Sequence, residues 1–267
     1  MSGVIFHTSP KPKHSLFKKI RPVIILLLVI ALYVWTFTSI NIDWARAIER
    51  MTNNFHRVIP RLFSPDWSAT GEVALTMLET VFIAFAGSLM AAIIAVPLAF
   101  LAARNMMGRY PSVIGKWILS AVRAFPDLIL AILFVVAVGP NAFAGVLAIA
   151  IGSTGMLGKM FSEIIESIDM EIVEAMEANG ANRIQILFYA VFPQIIPEFL
   201  SYAIYRFEVD IRASSILGIV GAGGIGTMVV FASSNRNWNE MGTILLSIIV
   251  VVTLIDFASA RIRRKIV

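Results

Sequence analysis

VALTMLETVFIAFAGSLMAAIIAVPLAFLAA, residues Val73–Ala103, decides the fold. The stretch holds one charged residue, Glu79, and exceeds the about 20 apolar residues that carry a helix across the hydrocarbon core of a bilayer. Five further stretches repeat the pattern on either side of it: Pro22–Ile40, Trp117–Val138, Ala142–Phe161, Ile195–Ile219 and Met241–Ala260. Composition agrees, since 58% of the 267 residues are hydrophobic and 15% charged, against roughly 45–50% and 25% in soluble domains. A water-soluble enzyme lacks the polar side chains to coat its surface, and a disordered chain needs low hydrophobicity. An all-α integral membrane protein with six transmembrane helices remains.

There is no cysteine, so neither a disulfide scaffold nor a thiolate metal site is available. His7, His14 and His56 lie far apart and outside the apolar stretches, which leaves no metal centre to expect. The net charge of +5 does not point to nucleic acid, because the placement of the cations follows the membrane. With the N-terminus inside, fourteen of the 22 Lys and Arg fall on inner segments, among them Lys11, Lys13, Lys116, Lys159, Arg183 and Arg263. Five fall outside and three, Arg123, Arg206 and Arg212, within apolar stretches. That bias puts both termini in the cytoplasm of a plasma-membrane protein. The first stretch follows a basic run and precedes Ala45-Arg46-Ala47, yet it is longer than the apolar core of a signal peptide and reads as a retained helix. The resulting organisation is a cytoplasmic tail (1–21), a first span (22–40), an extracytoplasmic segment (41–72) and a five-span core (73–267) with an inner loop at 162–192.

The outer segment is strongly amphipathic. At 100° per residue, Trp44, Ile48, Met51, Phe55, Val58, Ile59 and Leu62 gather about one direction, and Arg46, Arg50, Arg57 and Arg61 gather opposite. Such a helix lies in the lipid interface with its arginines up. Those arginines are also candidates for docking an acidic partner outside the cell.

Within the inner loop, Asp169 is placed to cap a helix from Met170, and Asn179-Gly180 to stop it through a left-handed glycine. Asn182 and Gln185 then form a capping-box pattern that opens a second helix running to Pro193. A helix, a glycine turn and a second helix make a surface element suited to a partner's groove. Inside the spans, Arg123 with Asp127, Arg206 with Asp210, and Glu208 with Arg212 are each four residues apart and able to pair along a helix. Intramembrane charges are costly, so these six are candidates for a translocation pathway as well as for helix pinning.

Glu174-Ala175-Met176, three residues, Gly180, then Pro193 after a further twelve resembles the EAA loop of type I ABC importer permeases. Glu174, Ala175, Gly180 and Pro193 match that pattern, whereas Met176, Ala190 and Phe192 depart from it. Arg123–Leu128, Ser153–Lys159 and Arg212–Gly218 resemble the phosphonate-type (PhnE-like) branch, and Val220–Gly226 a wider set that includes methionine permeases. The resemblance implies a permease subunit that imports phosphonate or a related phosphorus oxyanion and works as a homodimer. It further implies that each copy docks a cytoplasmic ATPase through Glu174, Ala175, Met176, Gly180 and Pro193 and receives substrate from an extracytoplasmic binding protein. ATP and Mg²⁺ then belong to the ATPase, and no cofactor to this chain.

Two motifs resemble nucleotide chemistry without its context. Gly221-Ala222-Gly223-Gly224-Ile225-Gly226 satisfies G-x-G-x-x-G but lacks the alternating strands and helices of a dinucleotide fold. Gly158-Lys159 has Ser153 where a P-loop starts with glycine and Met160 where Ser or Thr belongs. Other readings are a permease for another solute such as methionine, a secondary transporter or channel using the buried pairs, and a membrane enzyme. No internal repeat supports the secondary transporter, and no convergent catalytic constellation supports the enzyme.

Overall fold

A computed structural model describes residues 16–39 and 43–266. The tail residues Lys11 and Lys13, and the expected end of the first span at Ile40, lie outside the described residues. Among those described, twelve α-helices occur and no strand. The chain divides into a short unit ending at Arg57 and a large one from Val58 onward.

In the short unit, α1 runs Leu16–Ser39 and α2 begins at Trp44, continuing to Leu62. The Asp43 carboxylate accepts the Arg46 N–H at 3.1 Å and pairs with the Arg46 side chain at 2.9 Å, so one of the four arginines already has a partner.

The large unit is built on α3 (Thr70–Ala102) and α7 (Ala142–Glu166), with α4 (Arg104–Met107), α5 (Arg109–Arg123) and α6 (Asp127–Val138) between them. Small residues let α3 and α7 approach closely, as membrane helices require where lipid offers no hydrophobic drive. A Cβ on Gly87 would lie 2.7 Å from Ile149, and Ala91, Ala95, Ala99 and Ala103 form one wall of a core completed by Leu157, Phe161, Ile165 and Ile195. At the far end of α3, Ser112 donates to the Ala102 carbonyl at 2.6 Å. There Glu166 accepts both the Arg104 N–H at 2.9 Å and the Lys116 ammonium at 2.8 Å.

The third stretch is not one straight span. α5 and α6 meet at 79° across Ala124-Phe125-Pro126. Proline has no N–H to continue the ladder and disfavours helical backbone before it; Pro126 takes ψ 138 and serves as the cap of α6. The bend is seated on α7. A Cβ on Gly152 would strike the Asp127 carboxylate, one on Gly155 would lie 2.7 Å from the Arg123 Cγ, and one on Gly158 would strike Leu119.

After α7 come α8 (Met170–Ala178), α9 (Arg183–Ile186), a π turn at Leu187–Val191, and α10 (Phe192–Leu217). A further short helix, α11 (Ile225–Ser234), precedes α12 (Trp238–Ile266). Among the described residues, five helical segments are long and apolar enough to cross a membrane, and the bent α5–α6 pair makes a sixth if counted as one span. α11 was not among the expected elements. Thr80 fixes its start by accepting the Ile225 N–H at 2.7 Å, and the Thr80 carbonyl accepts from Ser214 at 3.3 Å. The glycine run before α11 therefore serves packing: Gly223 and Gly224 have φ +80 and +73, and a Cβ on Gly224 would lie 2.6 Å from the Thr80 hydroxyl.

Candidate functional site

The loop between α7 and α10 is capped at each turn by its own residues. The Asp169 carboxylate accepts the Glu171 N–H at 2.9 Å and starts α8. α8 ends in a left-handed glycine: Gly180 has φ +80 and donates to the Glu177 carbonyl at 2.9 Å, while Ala181 donates to that of Met176 at 3.1 Å. This pair of bonds satisfies carbonyls that the helix end leaves open. Asn182 and Gln185 then exchange reciprocal bonds, Asn182 N–H to Gln185 at 2.8 Å and Gln185 N–H to Asn182 at 2.9 Å. A Cβ on Gly180 would meet nothing within 4 Å, so only the sign of φ demands glycine.

Glu174, Ala175 and Pro193 are exposed on this loop, together with Ile184 at 68% and Phe188 at 57%. Met176 departs from the outward position expected of it. It is half-buried and packs, near Val173, against the core shared by α3 and α7. Gln194, which sequence reasoning passed over, joins the two ends of the loop: it accepts the Asp169 N–H at 2.9 Å and donates to the Ala190 carbonyl at 2.8 Å.

The intramembrane charges regroup. Arg206 and Asp210 pair along α10 at 2.9 Å, and Ser153 of α7 donates to Asp210 and accepts from Arg206 at 2.9 Å. Asp127 belongs to this cluster, 3.7 Å from Arg206. The expected Arg123–Asp127 pair is absent because the Pro126 bend ends the helix between them. The expected Glu208–Arg212 pair is also absent. Each turns instead to α12, Glu208 to Arg263 at 3.0 Å and Arg212 to Asp256 at 2.6 Å. Asp256 is the one charged residue of the sixth apolar stretch, and that isolation was the available signal.

Helices bundled around small-residue seams, with charges neutralised between them and a doubly capped loop at one end, define a multi-pass membrane component. The chain belongs to the family described as binding-protein-dependent transport system inner membrane component, whose model matches residues 95–267. It is 42% identical over 202 residues to the phosphite transport system permease protein PtxC of Stutzerimonas stutzeri, covering 75% of this chain and 73% of that one. It is 36% identical over 215 residues to the phosphate-import permease protein PhnE of Mycolicibacterium smegmatis, covering 80% of this chain and 40% of that one. In fold it resembles the inward-facing MetNI methionine ABC transporter, with a TM-score of 0.67 at 22% identity over 76% of this chain and 99% of that chain. The family is the one that the loop motif and the phosphonate-type stretches indicated. Membership sets aside the secondary-transporter and membrane-enzyme readings.

Proposed function

We propose that this chain is the membrane-spanning subunit of an ATP-driven importer for a phosphorus oxyanion of the phosphonate, phosphite or phosphate class. The observation that carries the reading is the capped loop Asp169–Pro193, which presents Glu174 and Ala175 outward at a turn set by Gly180. Relatives named for phosphite and phosphate import supply the substrate class. Six spans, with α5 and α6 forming the third, leave both termini and this loop in the cytoplasm. Two copies build the pathway, each seating its loop in a cytoplasmic ATPase. Closure of the ATPases on ATP draws the two loops together, and the tight core beneath α8 transmits that movement as a rigid-body rotation of the spans. Binding energy at the loop thus biases the equilibrium between inward- and outward-facing states. Outside, α2 lies in the interface, and its arginine face receives the loaded binding protein.

The test is reconstitution of the permease with its ATPase and binding protein in proteoliposomes. ATP-dependent uptake of phosphite, phosphate or methylphosphonate is the expected result. Uptake of methionine with none of these three would overturn the substrate class.

A further inference from the structure

Charge accounting across the large unit leaves one intramembrane arginine over. Arg206 lies between Asp210 and Asp127, Arg212 is paired with Asp256, and Arg263 with Glu208. The cluster around Arg206 carries two carboxylates to one guanidinium and repels an anion. Arg123 is exposed and has no carboxylate partner among the described residues. It borders a cavity of about 240 Å³ between α5 and α7. Lys116, Ser120 and Arg123 line one wall at helical spacing, and Lys159 and Ser162 line the other.

The two helices run antiparallel along this cavity, since Gly155 faces Arg123, Gly158 faces Leu119 and Glu166 meets Lys116. One end is closed by the Lys116–Glu166 pair at 2.8 Å, with Arg123 at the other. Lys159 and Glu163 stand 3.6 Å apart with both side chains more than half exposed, a loose pair that a second anion can join. Three cations against two carboxylates leave a net charge of +1 in the cavity. Ser120 adds a hydroxyl that donates to no described residue, whereas that of Ser162 is committed to the Lys159 carbonyl at 2.7 Å. At ~30 Å³ per water, the volume holds about eight waters, enough for a small tetrahedral anion with part of its hydration.

We propose that this cavity is a binding site for a phosphorus oxyanion, with Arg123 its principal ligand. Guanidinium binds such groups through two parallel hydrogen bonds, and donors converging from both walls suit oxygens that point in several directions. The Lys116–Glu166 pair stands at the end of α7 that leads into the loop, which is the exit side in the orientation proposed above. The inference rests on that reading for a free oxyanion as ligand. A phospholipid headgroup presents the same chemistry.

The test uses the permease–ATPase complex in nanodiscs of phosphatidylcholine, without nucleotide or binding protein. Methylphosphonate is the probe, and its affinity is read from ³¹P line broadening. Binding to the ATPase is common to all variants, so differences report the permease. Arg123→Gln should weaken binding about tenfold or more, as loss of charge-assisted hydrogen bonds implies. Ser120→Glu, at an exposed position, should do the same by placing a carboxylate in the cavity, and Arg123→Lys should recover only part. In nanodiscs containing phosphatidylglycerol, lipid co-purifying with the complex is counted by mass spectrometry. A loss of lipid in Arg123→Gln and Ser120→Glu, with unchanged methylphosphonate affinity, supports the site and identifies its ligand as the headgroup. If neither methylphosphonate affinity nor lipid count moves in either variant, the site is refuted. Uptake by the parent complex is measured alongside, so failure of the importer reading is seen separately.

Discussion

Asp127, the first residue of α6, faces the Arg206 guanidinium of α10 at 3.7 Å, and so ties the bend between α5 and α6 to α10. The same guanidinium holds Asp210, whose side chain is completely buried. Removing one member of a buried pair leaves an uncompensated charge and costs about 3–5 kcal/mol, whereas replacing both with apolar residues is often neutral. Arg206→Met should therefore lower the thermal stability and membrane yield of the permease sharply. Arg206→Met with Asp210→Leu should recover most of the loss. A double variant no better than the single one would show that the spans are held by packing alone.

Gly180 offers a cleaner test of the loop than a deletion does. Its φ of +80 excludes β-branched residues, yet a side chain there would touch nothing. Gly180→Asn should keep transport near the parent level, because Asn tolerates left-handed backbone. Gly180→Val should strain the turn by about 1–2 kcal/mol. It should reduce binding-protein-stimulated ATP hydrolysis while the protein stays inserted. Equal activity of the two variants would separate the turn from coupling.

Orientation can be read by labelling, since the parent chain has no cysteine. Asn53→Cys should react with an impermeant maleimide on intact cells. Asn179→Cys, at the end of α8, should react only after permeabilisation. The reverse pattern would place the loop outside and remove the basis for ATPase docking.

Among the described residues, Asp43 pairs with Arg46, whereas Arg50, Arg57 and Arg61 pair with no carboxylate. Arg50→Gln, Arg57→Gln and Arg61→Gln together should slow capture of the loaded binding protein at low ionic strength. The difference should shrink near 0.1 M salt, where the Debye length is about 10 Å. Arg46→Gln alone should change capture little. Capture by the triple variant that equals the parent's at every salt concentration would leave α2 as a lipid-resting helix only.

What the sequence disclosed divides along physical lines. Apolar run length is a local property: it placed both ends of α3 and α10 within three residues, but stopped short of the ends of α7 and α12, whose last turns carry charged residues. The caps at Asp169, Gly180 and Asn182 were equally legible, because each bonds to atoms at most three residues away. Charge partners were legible only along one helix, as for Arg206 and Asp210; Glu208 and Arg212 look sideways to α12, and spacing along one helix carries no information about its neighbour. α11 escaped because ten residues fall short of a span and its anchor, Thr80, lies far away in the chain. Pro126 marked where a bend could fall but not how large it is. Its angle depends on the glycines of α7 that make room for it.

The π turn at Leu187–Val191 joins the capped loop to α10 without an interruption in the helix. Such a turn accommodates one residue more than α-geometry does, so everything before it is rotated by about 100° relative to an unbroken α-helix. The azimuth at which Glu174 and Ala175 meet a partner is therefore written into a single surplus residue. Deleting one residue from Leu187–Val191 would leave both caps and both spans intact, yet turn the loop to present a different side to whatever grips it.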